Sequence, residues 1–200
     1  MVAIVGAPAA AQPGPRILLV KTSSLGDVVH NLPVVSDLRR HYPSAQIDWV
    51  VEEGCAAIPR LHPGVAEVIP VALRRWRKHL LDADTWQQIG SLRRRLKHSA
   101  YDIVIDTQGL LKSAVLTRWA QGPRHGYARD SIREPLAACA YRHHHTVSRQ
   151  LHAVERNRLL AAAACDYALE GAPCDYGIAA APLAAAWLPT DRPYAVLLTA

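Results

Sequence analysis

The fold is decided by residues 16–33, which read RILLVKTSSLGDVVHNLP. The stretch opens with RILLVK at 16–21, a short and almost wholly apolar run that follows a proline and precedes a polar loop. Such a run is typical of a strand buried on both faces, as in the middle of a parallel sheet. Apolar side chains then recur at near-helical spacing from Asp27 to Tyr42, which predicts one helix with Pro33 near its first turns.

Strand-like and helix-like segments continue to alternate after this first unit. Further strands are predicted at Gln46–Val51, Ala66–Val71, Tyr101–Asp106 and His143–Val147. Helices are predicted at Cys55–Arg60, Thr85–His98, Gly109–Ala120 and Gln150–Ala164. Because strands alternate with helices, we predict an α/β fold in which helices flank a parallel sheet through right-handed crossovers.

Composition limits the class of protein. The 200 residues carry 23 Lys and Arg against 17 Asp and Glu, a formal charge of +6, and half of them are apolar. This balance is typical of a globular chain and excludes disordered, collagenous and coiled-coil classes. The four cysteines form no C-x-x-C pair and no zinc-ligand spacing, so we expect neither a disulfide framework nor a metal site, in a reducing cytoplasm. No apolar stretch is long enough to span a membrane.

The two ends of the chain differ in composition from its middle. Residues 1–15 are rich in Ala, Pro and Gly, which predicts a flexible extension, and residues 16–181 carry the strand-helix units. Pro182–Pro193 is typical of a linker, and Tyr194–Ala200 (YAVLLTA) of a buried strand. We interpret residues 182–200 as a linker and the first strand of a second domain that is truncated.

The loop after the first strand, KTSSLGD at 21–27, places a carboxylate at a helix start. Loops of this kind hold ligands in open α/β sheets, where the carboxyl ends of the strands form the binding edge. The loop lacks G-x-G-x-x-G and G-x-x-x-x-G-K-[ST], which argues against an ordinary dinucleotide or P-loop enzyme. Two interpretations of Asp27 stay open: a first-turn acid that favours the helix dipole, or a general base that is ionised at neutral pH.

A run of cations follows the third predicted strand, in a loop that reads RRWRK. Its charged members are Arg74, Arg75, Arg77 and Lys78. A charge run is commonly a solvated face. Because arginine forks bind phosphate and carboxylate in bidentate fashion, the alternative is a site for a multiply anionic substrate.

The loop after Tyr101–Asp106 offers a third candidate, in Gln108, Gly109 and Lys112. A helix N-terminus there would present backbone donors, and Lys112 would add a positive charge for an anion. The alternative is that Gly109 simply makes a tight turn. The triplet His143–His145 is not predicted to bind a metal, because consecutive strand residues point to opposite faces.

Six motifs carry a resemblance to a known family. They are RILLVKTSSLGDVVHNLP at 16–33, DWVVEEGCAAIP at 48–59, VIPVALRRWRK at 68–78, DIVIDTQGLLKSA at 102–114, REPLA at 133–137 and HAVER at 152–156. With them the chain, from Arg16 to Ala200, resembles the lipopolysaccharide heptosyltransferase I family, which are GT-B-type glycosyltransferases of Gram-negative bacteria. The resemblance implies a Rossmann-like acceptor-binding domain over 16–181, with the donor held mainly by a C-terminal domain, and therefore little activity of this chain alone.

The resemblance also implies an activity. The family transfers L-glycero-D-manno-heptose from ADP-heptose to the first Kdo of Kdo₂-lipid A with inversion, without a cofactor, and at the inner face of the inner membrane, which the protein would touch peripherally. In the family the aspartate of the S-S-x-G-D motif is the base, which matches Asp27 with Ser23, Ser24 and Gly26. The family's arginine-rich segment, associated with the acidic acceptor, matches the run from Arg74 to Lys78.

A second class of function fits the same residues. A non-catalytic α/β module would bind acidic lipid or another polyanion through its basic edge. Nucleic acid is not the expected partner, because aromatic residues are only 6% of the chain and no nucleic-acid-binding signature is present.

Overall fold

Six parallel strands form the sheet of this protein, for which a computed structural model describes residues 14–169, 171–179 and 193. The strands are β1 (Arg16–Val20), β2 (Gln46–Glu52), β3 (Val65–Val71), β4 (Ile103–Asp106), β5 (Arg124–Tyr127) and β6 (His143–His145). The helices are α1 (Leu25–Val29), α2 (Leu32–His41), α3 (Ala57–Arg60), α4 (Leu73–Lys78), α5 (Ala83–His98), α6 (Leu111–Trp119) and α7 (Ala153–Cys165). Short 3₁₀ turns lie at Glu53–Cys55 and Pro135–Ala140. The predicted α/β fold with a parallel sheet flanked by helices is confirmed.

The strand order is β3-β2-β1-β4-β5-β6. The first strand therefore lies in the middle of the sheet, where Ile17 is paired with Ile47 of β2 and Ile103 of β4. After β1 the chain builds the sheet outward through β2 and β3, and then returns to the other side of β1 to add β4, β5 and β6. This is the Rossmann-like order, and its reversal between β1 and β4 opens a crevice at the carboxyl ends of those strands.

Alternate residues of β1 enter two separate cores. Ile17 and Leu19 belong to the cluster that packs against α2 and α7. Leu18 and Val20 belong to the cluster on the opposite face, against α4, α5 and α6. All four are fully buried, which explains why the run in the sequence is continuously apolar rather than alternating.

The single helix predicted from Asp27 to Tyr42 is wrong. Two helices are present instead, since α1 ends at Val29 and α2 begins at Leu32. Pro33 lies in the first turn of α2, where a backbone N–H would have no acceptor within the helix, so the absence of an N–H in proline costs nothing. The break gives Asp27 a short helix of its own at the carboxyl edge of the sheet.

The cationic run predicted as a loop is also structured. Residues 73–78 form α4, in which Trp76 is buried and packs into the core beneath α5. A buried indole with exposed cations on either side is the pattern of a short amphipathic helix. The four cations therefore extend from a helix and not from a loop.

Strand β5 was not predicted, because RHGY at 124–127 carries charge and a glycine in place of an apolar run. Gly126 is nevertheless required there. A Cβ atom at this position would lie 2.3 Å from the ring of Tyr141, which covers the strand. Close approach of an aromatic ring thus explains a glycine that the sequence pattern presents as a strand breaker.

Several predicted segments fall outside the described residues: most of the extension at 1–15, the linker at 182–193 apart from Pro193, and the strand at 194–200. Within the described ranges, none of the helices has both the length and the apolar character that a membrane span requires.

A buried ion pair fastens α7 to α2. Asp37 is 1% exposed, and its two carboxylate oxygens accept from Arg158 Nε at 2.7 Å and Nη2 at 3.0 Å. Arg40 adds a contact to the same carboxylate at 3.3 Å. The bidentate geometry compensates for the removal of both charges from water.

We expect Arg158→Leu to lower the free energy of unfolding by about 3 kcal/mol, because it leaves the buried Asp37 carboxylate with only Arg40 as a partner. Arg95→Leu is the matched control, since Arg95 pairs with Glu67 at a half-exposed surface site and its loss should cost less than about 1 kcal/mol. Urea denaturation of both variants provides the measurement. Equal decreases in the free energy of unfolding would show that the buried pair stabilises the fold no more than the surface pair does.

Candidate active site

A small cavity of about 90 Å³ lies at the carboxyl edge of the sheet, where the strand order reverses. Its walls are Lys21, Asp27, Thr107, Gln108, Tyr127, Arg133, Ala153, Arg156 and Asn157. These residues follow β1, β4, β5 and β6, so four strand ends contribute to one cavity. A larger groove of about 430 Å³ beside α7 includes Arg158, but that arginine is already paired with Asp37, which makes the switch-point cavity the better candidate.

Asp27 brings a carboxylate to this cavity from α1. One of its oxygens, Oδ2, accepts from the backbone N–H of Ser24 at 2.8 Å and from the Ser24 hydroxyl at 3.1 Å. The other oxygen, Oδ1, accepts no hydrogen bond within the described part of the chain. The carboxylate is therefore fixed on one side and available on the other, which is the geometry that a general base requires.

Lys21 places a buried ammonium beside Asp27. Its Nζ donates to the backbone oxygen of Thr107 at 2.9 Å and to Oδ1 of Asn157 at 3.5 Å. Burial lowers the pKa of Lys21 to about 8, although the carboxylates of Asp27 and Asp106 oppose that shift. Its charge thus depends on the carboxylates around it, in contrast to a surface lysine.

Two arginines make the cavity strongly positive. Arg133 lies after β5, and Arg156 on α7 stacks its guanidinium over the Tyr127 ring at 4.7 Å. Arg156 also donates from Nη2 to the backbone oxygen of Ser131 at 2.6 Å, while its buried Nε has no partner among the described residues. With Lys21, three cations face one carboxylate, so the cavity favours an anionic ligand.

Asn157 ties this wall together. Its Oδ1 accepts from the hydroxyl of Tyr127 at 3.2 Å, and its amide donates to the backbone oxygen of His30 at 3.4 Å. Burial raises the pKa of Tyr127, which keeps the phenol neutral and able to donate. One buried amide therefore connects α7, β5 and the end of α1.

Gln108 was predicted to contact the acceptor, and the structure gives it a supporting task. Its Oε1 accepts from the backbone N–H groups of Thr22 at 3.0 Å and Ser23 at 3.1 Å. The loop that leads to Asp27 is thereby held from the neighbouring strand. Gln108 still lines the cavity, so both tasks are compatible.

The backbone donors predicted for an anion after β4 are occupied within the protein. The N–H groups of Gln108 and Gly109 donate to Asp106 at 2.8 and 3.1 Å. Those of Leu110 and Leu111 donate to Ser113 Oγ at 3.1 Å and to Glu134 Oε2 at 2.7 Å. Gly109 has φ +67°, and a Cβ there would approach Ile132 to 3.0 Å, so it fulfils the tight-turn alternative.

Lys112 and Ser23, which were both predicted to bind the acceptor, contact each other. Lys112 Nζ donates to the Ser23 hydroxyl at 2.6 Å, which connects the start of α6 to the loop after β1. Gly26 lies beside Asp27, and a Cβ there would meet nothing within 4 Å. Packing within the described residues therefore does not explain this glycine, and its place in the acceptor site stays a prediction.

The cations of α4 divide into two groups. Arg75 is committed to Glu53, with Nε donating at 3.2 Å and Nη2 at 3.0 Å, and its Nη1 donates to Gln88 at 3.1 Å. This fork pair lowers the pKa of Glu53. Binding of the acceptor by Arg75 stays a prediction. Arg74, Arg77 and Lys78 are exposed and make no side-chain hydrogen bond or ion pair within the described ranges.

The histidine triplet shows the predicted alternation. His143 and His145 share a face with His125, whose ring stacks on theirs with centroid distances of 4.5 and 5.3 Å. The ring of His144 instead contacts the backbone oxygen of Ala138 at 2.9 Å. Burial lowers the pKa of His125 to about 4, and among the described residues no cluster has the composition and spacing of a metal site.

Sequence reasoning missed part of the cavity. Lys21, Tyr127, Arg133, Arg156 and Asn157 were not identified as site residues. A signal existed for two of them, because Arg133 opens the REPLA motif and Arg156 closes the HAVER motif. What the sequence did not show is that the segments after β5 and β6 fold back to the end of β1.

A Rossmann-like sheet with a carboxylate and several cations at its switch point defines a class, that of α/β enzymes and binding domains for anionic substrates. The chain belongs to glycosyltransferase family 9 (heptosyltransferase), whose sequence profile matches residues 89–200.

Similar proteins agree with that membership. Lipopolysaccharide heptosyltransferase 1 of Pseudomonas aeruginosa is 58% identical over 160 residues, which are 77% of this chain and 44% of that protein. The structure of E. coli heptosyltransferase WaaC with ADP superposes with a TM-score of 0.78 at 47% identity, covering 81% of this chain and 51% of that one. A second WaaC structure, with ADP-2-deoxy-2-fluoro heptose, gives a TM-score of 0.78 at 48% identity, with 80% and 51% covered. The chain thus spans about half the length of these relatives.

The buried Lys21 predicts a pH dependence of stability. A lysine pKa that falls from 10.5 in the unfolded chain to about 8 in the folded chain costs about 3 kcal/mol while the folded ammonium is charged. The cost is fully present below pH 8 and disappears as the pH rises to about 10.5. We therefore expect the difference in unfolding free energy between the wild type and Lys21→Met to change by about 3 kcal/mol in favour of the wild type from pH 8 to about pH 10.5. Urea denaturation at each pH provides the measurement.

The control is Lys97→Met, which removes an exposed ammonium that water solvates in both states. Its difference from the wild type should stay flat over the same pH range. A flat difference for Lys21→Met as well would contradict the burial of this charge.

Proposed function

We propose that this chain provides the acceptor-binding and base-bearing half of an inverting heptosyltransferase. The proposed reaction transfers L-glycero-D-manno-heptose from ADP-heptose to the first Kdo of Kdo₂-lipid A, without a cofactor. The observation that carries the proposal is the Asp27 carboxylate, held on one side by Ser24 and available on the other, in a cavity lined by Lys21, Arg133 and Arg156. Family membership and the two structures of E. coli WaaC, one with ADP and one with ADP-2-deoxy-2-fluoro heptose, support the donor class.

The chemistry assigned to Asp27 is proton removal. As a sugar hydroxyl of the acceptor attacks the anomeric carbon, a new carbon–oxygen bond forms and the bond from that carbon to the diphosphate breaks. The hydroxyl proton passes to the free Oδ1 of Asp27, and ADP leaves with the electron pair of the broken bond. Attack from the face opposite the leaving group inverts the anomeric centre, and Ser24 keeps the carboxylate aimed throughout.

The cations explain why an acidic acceptor suits this cavity. Kdo carries a carboxylate, and lipid A carries phosphates. Lys21, Arg133 and Arg156 supply charge around the reacting hydroxyl, while Arg74, Arg77 and Lys78 offer exposed charge further along the same sheet edge. Two sets of cations at one edge suit a ligand whose negative groups are spread over its length.

The place of action follows from the substrates. Because ADP-heptose is water-soluble and the acceptor is anchored in a membrane, we propose that the protein works in the cytoplasm and touches the inner face of the inner membrane peripherally. The +6 charge favours an anionic lipid surface.

Replacing the base tests the proposal directly. A general base contributes about 10²–10⁴-fold in rate, so Asp27→Ala should lower kcat by at least two decades while the acceptor KM changes little. The assay uses ADP-heptose and a soluble Kdo-bearing acceptor. Both the 200-residue chain and its fusion to the C-terminal half of the E. coli relative are assayed, because the chain spans about half of the relatives' length.

Ser24→Ala is the companion variant, since it removes one of the two contacts that aim Asp27 and keeps the carboxylate. It should lower kcat less than Asp27→Ala does. Near-normal turnover by the Asp27→Ala fusion would sink the proposal and leave the chain as a module that binds polyanions.

Substitutions in α4 test the acceptor contacts. Since a charge-assisted hydrogen bond contributes roughly 1.5–3 kcal/mol, Arg74→Ala and Arg77→Ala should each raise the acceptor KM more than about tenfold with little change in kcat. Arg75→Ala should raise it less, because that fork already donates to Glu53. Steady-state kinetics with Arg93→Ala, an exposed cation on α5, provides the control. An unchanged KM for the three α4 variants would show that these cations form a solvated helix face and do not contact the acceptor.

A further inference from the structure

A positively charged groove lies at the end of the sheet opposite the candidate active site. It has a volume of about 380 Å³, and its walls are Gly122, Pro123, Arg124, Arg142 and His143. Arg124 begins β5 and His143 begins β6, so the groove lies at the amino edge of these parallel strands. Asp27 lies at the carboxyl edge, and the proposed reaction therefore does not use this groove.

Arg124 is held in place from inside the fold. Its side chain is half-buried, and its Nε donates to the backbone oxygen of Ala140 at 2.9 Å. The two terminal nitrogens, Nη1 and Nη2, donate no hydrogen bond to any residue in 14–169 or 171–179. The protein thus orients this guanidinium and leaves its terminal N–H groups available for a ligand.

Two further arginines flank Arg124 and come from other elements. Arg142 precedes β6 and lines the same groove, and Arg118 in the last turn of α6 lines an adjoining groove of about 600 Å³. Both are exposed, and neither side chain has a hydrogen bond or ion pair in the described part of the chain. Burial lowers the pKa of Arg124, and the positive charges of Arg118 and Arg142 lower it further. Each of them is therefore close enough to repel Arg124.

The connection between the two grooves is rigid. They meet at the consecutive residues Gln121 and Gly122. Gly122 has φ +141°, and a Cβ atom there would lie 2.3 Å from the backbone oxygen of Tyr101. The backbone between Arg118 and Arg124 is therefore packed tightly against the neighbouring segment, which fixes the distance between the two grooves.

Carboxylates do not balance these charges. Neither groove has an acidic residue among its described walls, and the second groove adds the cations Arg93 and Lys97. Asp102 precedes the neighbouring strand β4, but its Oδ2 accepts from the backbone N–H of Arg16, on the side of β4 that faces away from β5. Even with Asp102 counted, the amino edge of β4, β5 and β6 is positive within the described residues.

Local structure accounts for these arginines only in part. Arg118 favours the dipole of α6 from its last turn, and Arg124 caps the 3₁₀ turn that ends at Ala140 through Nε. Neither account uses the terminal nitrogens of Arg124. Neither applies to Arg142, whose side chain has no polar partner among the described residues.

We propose that Arg118, Arg124 and Arg142 form a binding site for a ligand that carries two linked phosphate groups. Arginine forks bind phosphate oxygens in bidentate fashion, and three arginines favour an anion with more than one negative charge. One phosphate group lies between Arg124 and Arg142, and the second reaches Arg118 in the adjoining groove. The site does not depend on the proposed transfer reaction, because it lies at the edge of the sheet opposite Asp27.

The Nε–H group of Arg124 can report on this site alone, whereas cations at the carboxyl edge would add to any signal from the whole protein. Its hydrogen bond to Ala140 slows exchange of the proton with water, so an NMR spectrum of the isotope-labelled chain should resolve it, and Arg124→Lys assigns the signal. Titration with pyrophosphate should shift the signal to saturation. Orthophosphate should bind about tenfold more weakly or worse, since a single phosphate group cannot contact all three arginines.

Two substitutions test the flanking arginines. Arg118→Gln and Arg142→Gln remove exposed side chains without polar partners among the described residues, so both variants should fold. Each should weaken pyrophosphate binding about tenfold or more, as expected for the loss of a charge-assisted hydrogen bond. Arg60→Gln is the matched control, because Arg60 is an exposed cation at the end of α3, which packs against β3 on the other flank of the sheet. It should bind as the wild type does.

Sodium chloride at equal ionic strength measures the effect of screening alone. A signal that pyrophosphate does not move, or that sodium chloride moves equally, would overturn the proposal. Equal pyrophosphate affinity of the wild type, Arg118→Gln and Arg142→Gln would do the same, because the three arginines would then be solvated separately. Equal affinities for orthophosphate and pyrophosphate would reject a ligand with two linked phosphate groups.

Discussion

The buried carboxylate of Asp106 is the constraint on which the candidate site depends. It ends β4, and burial raises its pKa while four donors surround it: the N–H groups of Gln108 and Gly109 and the hydroxyls of Thr117 and Tyr141. These bonds fix the loop after β4, so that Gln108 presents its side-chain oxygen to the loop after β1. The loop that carries Asp27 is therefore positioned by a carboxylate on the neighbouring strand.

The sequence predicts those parts of the fold whose cause is local. The apolar run of β1 predicts a central strand, because burial on both faces leaves no place for polar residues. The sequence did not predict β5, since Gly126 is explained by the Tyr141 ring that packs on it from another segment. Pro33 was placed inside a helix because periodicity continues across the break between α1 and α2.

The residues of the candidate site also fall into two groups, those that a local sequence pattern predicts and those that only the fold brings together. Asp27 and Ser24 are three residues apart, so their pairing follows from a local capping pattern that the motif displays. Arg133 and Arg156 reach the cavity only because the strand order brings the ends of β5 and β6 toward β1, and no local pattern records that order. The sequence did not show the pairing of Arg75 with Glu53, because Glu53 lies 22 residues away at the end of the adjoining strand.

The central place of β1 has a consequence for synthesis of the chain. This strand leaves the ribosome before the other five strands of the sheet, yet Lys21 at its end contacts Thr107, which lies 86 residues further along. At translation rates of about 5–20 residues per second, the apolar strand waits roughly 4–17 s for its second neighbour. During that interval one edge of β1 is unpaired, and an unpaired apolar strand edge is prone to pair with another chain.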